Sequence, residues 1–175
     1  PGAEGKAIIE KIKALKIKVR YILNSHGHID HIGANGFLKA ELSVPIALHS
    51  KDLDIYHNPG YGLGLVLKKQ PEPEINLTGG DQINFGKETL TVIETPGHTP
   101  GGVCFLSGEN LFCGDTLFAG SIGRTDLPGG SFSEIMKSIK EKLMVLPPET
   151  VVYPGHGPST TIGDESRSNP FIVSS

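Results

Sequence analysis

Apolar residues at Ile8, Ile9, Ile12 and Leu15 recur at helical spacing and predict an amphipathic helix over Glu4 to Leu15. The run Lys18-Val19-Arg20-Tyr21-Ile22-Leu23 predicts a strand leading into Asn24-Ser25-His26. Beyond Asp30, the positions Ile32, Ala34, Phe37, Leu38 and Ala40 predict a second helix, weakened by Gly33 and Gly36. Pro45 to His49 predicts a short strand. Residues 52–82 hold three Pro and five Gly, with room for a short helix before Asn58-Pro59-Gly60. An irregular stretch of that length inside a domain usually carries function. Strands follow at Gln82 to Phe85, Thr89 to Glu94, Val103 to Leu106 and Asn110 to Cys113. Ser131 to Leu146 predicts the clearest helix, with a Ser131…Glu134 capping box and apolar Phe132, Ile135, Met136, Ile139 and Leu143. Thr150 to Tyr153 predicts a last strand. Neither an internal repeat nor an interdomain linker interrupts the pattern, so residues 1–175 read as one domain.

Composition narrows the class. The chain has 175 residues, 37% of them hydrophobic and 20% charged, enough for one packed core. No apolar run approaches the ~18 residues of a membrane span. The net charge of −3 is spread without blocks, so the clustered basic footprint of a nucleic-acid binder is missing. Two cysteines make neither a disulfide framework nor a four-thiolate zinc site, which fits a cytoplasmic setting. The 23 Gly and 13 Pro fall in short clusters between periodic segments, the signature of a loop-rich α/β enzyme.

The chemistry gathers where strands end. Four predicted strands run into polar turns that carry His or Asp: His26-Gly-His28-Ile-Asp30-His31, Pro96-Gly-His98, Gly114-Asp115 and Pro154-Gly-His156. Alternation along an extended segment predicts His26, His28 and Asp30 on one side, with His31 turned by the start of a helix. Imidazole and carboxylate are ligands of catalytic zinc, and this cluster holds more of them than one metal needs. A chance match to His-x-His-x-Asp-His in such a chain has odds of about 4 in 10,000. His49 and His57, by contrast, read as surface or core filling.

This set of residues resembles the metallo-β-lactamase superfamily. Thr95-Pro-Gly-His-Thr-Pro-Gly101, Gly114-Asp-Thr-Leu-Phe118, Gly123-Arg-Thr-Asp126 and Tyr153-Pro-Gly-His-Gly-Pro158 are similar to its glyoxalase II-like branch. The resemblance implies an α/β fold, an αβ/βα four-layer sandwich of two mixed sheets with helices outside. It also implies two divalent metal ions, zinc by expectation, with iron or manganese as alternatives. Carried over, His26, His28 and His98 hold the first ion; Asp30, His31 and His156 hold the second; Asp115 bridges. Asp30 and Asp115 are then the carboxylates assigned to catalysis. Two dications facing Asp30, Asp115 and a bridging hydroxide leave a small positive charge, suited to an anionic tetrahedral intermediate. That hydroxide is the expected nucleophile, because metal lowers the pKa of bound water to ~7. A thiolate leaves readily, so acyl thioesters such as S-lactoylglutathione are the expected substrates. The alternative within the branch is a mononuclear iron persulfide dioxygenase using the His26, His28 and His98 triad.

The expected partner is therefore a small-molecule thioester, with neither nucleic acid nor membrane, and the oligomeric state is left open. Arg124 and Asp126 are read as outer residues that orient ligands, the bland alternative being a turn salt bridge. Cys104 and Cys113 face each other if a hairpin turns at Gly108-Glu109, most simply as two reduced core thiols. Full-length glyoxalase II proteins bind the thiol carrier largely through a C-terminal helical domain that this chain does not match. The loop from Asp52 to Glu74, with Tyr56, Tyr61, Lys68 and Lys69, is the remaining place for carrier contacts, Tyr61 and Lys68 above all. Pro1-Gly2 resembles the tail of an Asp-Pro-Gly motif that closes a strand hairpin in the family. That likeness implies roughly 25 to 30 missing residues of N-terminal strands, with lower stability but intact metal affinity as the expected consequence.

Overall fold

A computed structural model describes residues 1–58 and 69–173. The chain divides into two compact units, Pro1–Leu77 and Thr78–Ser175. The first unit opens with helix α1, Gly5–Leu15, whose Ile9 is buried while Leu15 stays exposed. Strand β1 is only Ile22–Leu23, although a strand from Lys18 was expected. The ladder is short because β1 pairs in parallel with β2, Ile46–Leu48, over two residue pairs, Ile22 with Ile46 and Leu23 with Ala47. Strand β3, Ile75–Asn76, extends the sheet in parallel on the other side of β2.

The second expected helix is two helices, α2 at Ile29–Ile32 and α3 at Asn35–Leu42. They break at Gly33-Ala34, where the Ala34 N–H is drawn to the Pro1 carbonyl at 3.1 Å. Helix α4, Leu53–His57, follows a 3₁₀ turn over Ser50–Asp52. Ile9, Ile22, Ala34, Leu38 and Ile46 form one core cluster. Ile32, Leu48 and Tyr56 form another. Tyr56 is thus a core residue, its hydroxyl donating to the Pro71 carbonyl at 2.7 Å, and not a carrier contact.

The second unit is built on one six-stranded sheet. Strands β4 (Gln82–Phe85), β5 (Glu88–Glu94), β6 (Val103–Ser107) and β7 (Asn110–Gly114) form an antiparallel meander. A small hairpin, β8 (Leu117–Phe118) with β9 (Ser121–Ile122), follows. Strand β10 (Val151–Pro154) returns parallel to β7, and β11 (Thr160–Thr161) pairs antiparallel with β10. The expected register around Gly108-Glu109 is observed: Phe105 pairs with Phe112 and Ser107 with Asn110. Cys104 and Cys113 are both free and buried. Burial pushes the Cys104 thiol up to about 11 and the Cys113 thiol well above its ordinary range, which favours the neutral thiol at both.

The expected helix from Ser131 to Leu146 also changes character. Helix α5 spans Phe132–Ser138 and passes into a π-helical segment, Ile139–Leu143. The wider turn swings Leu143 back to the buried face of Ile135 and Ile139, while Phe132 is exposed. Only half of the capping box forms. Ser131 Oγ accepts the Glu134 N–H at 3.3 Å, but the Ser131 N–H goes to the Gly97 carbonyl at 2.7 Å. Two further helices close the unit, α6 at Ile162–Ser168 and α7 at Pro170–Val173. Neither was expected. Among the described residues no helix is long and apolar enough to cross a membrane.

Candidate metal centre

In the first unit the backbone bends at Ser25-His26, is extended at His28 and turns helical at Ile29. Strand alternation therefore does not run through the cluster; Asp30 and His31 are delivered by the first turn of α2, which corrects the expectation for Asp30. The rings of His26 and His28 lie 5.0 Å apart at 88°, and those of His26 and His31 lie 4.1 Å apart. His31 Nε2 is 3.6 Å from Asp30 Oδ2. Ser25 Oγ is 3.1 Å from His26 Nδ1. A residue that sequence reasoning passed over holds this turn. Asp52 is fully buried, and its Oδ2 accepts the Gly27 N–H at 2.9 Å, midway between two of the histidines.

In the second unit strand direction does the gathering. Strands β5 and β7 are both antiparallel to β6, and β10 is parallel to β7, so all three end at the same sheet edge. The turns after them carry His98, Asp115 and His156. Asp115 Oδ2 lies 3.6 Å from His98 Nε2 and 3.6 Å from His156 Nε2. The Gly155 N–H donates to the Gly114 carbonyl at 2.8 Å and locks two of the turns together. His98 Nδ1 is 2.8 Å from the Arg124 carbonyl. A carbonyl can only accept, so Nδ1 carries the proton and Nε2 keeps its lone pair for a cation.

Arg124 thus meets His98 through its backbone. Its guanidinium forms a bidentate pair with Asp126 at 2.7 Å, out in solvent, which holds the Asp126 carboxyl at about 2. Among the described residues, the Asp126 carboxylate pairs with the Arg124 guanidinium. Tyr61 and Lys68 lie outside the described residues.

The described His and Asp side chains able to form metal-holding groups are His26, His28, Asp30 and His31 in the first unit and His98, Asp115 and His156 in the second. Five imidazoles and two carboxylates are a donor set that zinc, iron and manganese all accept. His49 and His57 belong to no such group. His49 Nδ1 accepts the Lys51 N–H at 3.1 Å, and His57 Nε2 sits 2.7 Å from Glu72.

The chain matches the Metallo-beta-lactamase superfamily model over residues 1–156. Hydroxyacylglutathione hydrolase GloC of Haemophilus influenzae is 37% identical over 99% of this chain and 85% of that protein. Among solved structures, the B3 metallo-beta-lactamase BLEG-1 superposes with a TM-score of 0.91 at 38% identity, covering 98% of this chain and 86% of that one. TTHA1623 in a di-iron-bound form superposes with a TM-score of 0.89 at 41% identity, with coverage of 98% and 86%. The chain belongs to the metallo-beta-lactamase superfamily and has its α/β sandwich fold. Within that superfamily it is a metallo-hydrolase.

Proposed function

We propose that this metallo-hydrolase cleaves acyl thioesters of a small thiol carrier in the cytoplasm. In this reading His26, His28 and His98 hold one divalent ion, Asp30, His31 and His156 hold a second, and Asp115 is shared. The observation that carries it is the placement of one Asp115 oxygen against the Nε2 atoms of two histidines assigned to different ions. The likeness to a hydroxyacylglutathione hydrolase supports the substrate class.

Zinc, or iron or manganese in its place, supplies an acidified water and a Lewis acid for a carbonyl oxygen when bound. The chain's own residues set the conditions. Asp30 and Asp115 offset half of the charge of two dications, and the Arg124 carbonyl keeps the His98 imidazole in the ligating tautomer. A thiol has a pKa near ~8.5, so the carrier departs as a thiolate without a proton donor. An amine leaving from a β-lactam needs that proton, which ranks β-lactams below thioesters.

The test is metal analysis of the purified chain beside turnover of S-lactoylglutathione, a penicillin and glutathione persulfide. Two metals per chain with thiol release from the thioester is the expected result. Ring opening of the penicillin without thioester turnover would overturn it. So would one iron per chain with oxygen-dependent persulfide consumption.

A further inference from the structure

Glu165 of α6 is 2% exposed, and Asn169, just past the end of that helix, is fully buried. A carboxylate is costly to bury unless its oxygens are hydrogen-bonded. Here Oε2 accepts the Gly120 N–H at 2.9 Å and an Asn169 Nδ2 proton at 2.7 Å, while Oε1 accepts the Thr160 hydroxyl at 2.7 Å. Asn169 Nδ2 also donates to the Ser121 carbonyl at 3.0 Å. The two side chains therefore grip the Gly120 N–H and the Ser121 carbonyl, where the Ala119-Gly120 turn enters β9, one accepting and one donating.

That turn is the tip of the β8–β9 hairpin, and the feet of the hairpin are at the metal-holding cluster. One foot is Asp115. The other is Arg124, whose carbonyl orients His98. The feet are pressed together: the Gly123 N–H bonds the Thr116 carbonyl at 3.2 Å, and a Cβ on Gly123 would lie 1.8 Å from the Asp115 carbonyl oxygen. Through Thr160 the same carboxylate holds β11, the strand that follows His156. Two segments, the hairpin between Asp115 and Arg124 and the stretch after His156, are thus tied to one buried acid. Thr160, Glu165 and Asn169 all lie beyond residue 156, where the superfamily match ends.

We propose that Glu165, assisted by Asn169, is a positioning residue for the metal centre: it fixes the Asp115–Arg124 hairpin and the segment after His156, and thereby sets metal affinity. The inference rests on His98, Asp115 and His156 being ligands. Alternatively the acid merely braces the C-terminal helices, and α6 offers a control. Thr161 caps that helix by accepting the Asp164 N–H, and the Asp164 carboxylate takes the Thr161 hydroxyl proton and pairs with Arg167 in solvent, away from the hairpin.

The test is the Zn²⁺ dissociation constant of the full chain, measured by chelator competition at a temperature where circular dichroism shows each variant folded. Glu165→Ala should weaken Zn²⁺ binding by about tenfold, the lower end of what outer partners of metal ligands contribute. Glu165→Gln should restore it, since the amide oxygen can take the Gly120 and Asn169 protons while its NH₂ donates to a turned Thr160 hydroxyl. Asp164→Ala should melt earlier with unchanged affinity. Should Glu165→Ala not fold, Asn169→Ala replaces it, with a smaller loss in the same direction. Wild-type affinity in the folded Glu165→Ala or Asn169→Ala chain overturns the proposal, as does an equal loss in Asp164→Ala. A wild-type chain that binds no Zn²⁺ would sink the metal-site reading itself, a separate failure.

Discussion

The two units assemble the residues able to hold metal by opposite means. The first concentrates four of them between His26 and His31, and needs only a change from extended to helical backbone at His28 to present them. The second draws three from turns spread between residues 98 and 156, and relies on the common direction of β5, β7 and β10. A local cluster survives distant change so long as its own turn is held. A cluster built from strand ends inherits every error in the sheet, in the hairpins and in the glycines where backbones touch. The second unit should therefore be the more fragile half.

The largest effect is expected at the residue both imidazoles face. Asp115→Ala should lower thioester turnover about 10³-fold or more, the scale of losing a catalytic group, whereas His49→Ala and His57→Ala should leave it unchanged. Steady-state assays of the three variants check this. Next comes the backbone. Gly97 has φ 138°, and a Cβ there would lie 2.2 Å from the Ile135 nitrogen. Gly97→Ala should cost about 3 kcal/mol and lower the melting temperature by about 10 °C, read by calorimetry. A smaller loss falls on the first unit. Asp52→Ala leaves the Gly27 N–H without its acceptor and should cost about 1–3 kcal/mol, read by urea unfolding. If Asp52→Ala proves more damaging than Gly97→Ala, the order of fragility is reversed.

The smallest effect is expected at Arg124. Among the described residues its guanidinium bonds the exposed Asp126, and exposed pairs contribute little. Asp126 is held at about 2, below its ordinary 3.8. What the pair adds is therefore fully present above pH 4 or so and lost as pH falls through about 2. Arg124→Ala should keep its melting temperature and Zn²⁺ affinity at pH 7, because the carbonyl that meets His98 remains. A clear fall in affinity would mean that the guanidinium acts on the site after all.

The same contrast explains what was legible in the chain. The His26–His31 run, the hairpin register that sets Cys104 opposite Cys113, and helix α1 all follow from short-range pattern. Strands β3, β8, β9 and β11 are two residues each and show no alternation. Asp30 was misplaced because the strand period was carried one turn too far. Asp52 and Glu165 carry no local mark: their backbone partners lie 25 and 45 residues away. Helix α6 did leave a signal, since Thr161 three residues before Asp164 is a capping pattern and its hydroxyl does accept the Asp164 N–H at 3.0 Å.

The most direct measurement is the number of metal ions per chain in the purified protein and in Asp115→Ala, by elemental analysis against protein mass. The account predicts two ions per wild-type chain and depletion of both in the variant, because one carboxylate serves both. One ion per wild-type chain, or two retained by Asp115→Ala, would contradict it.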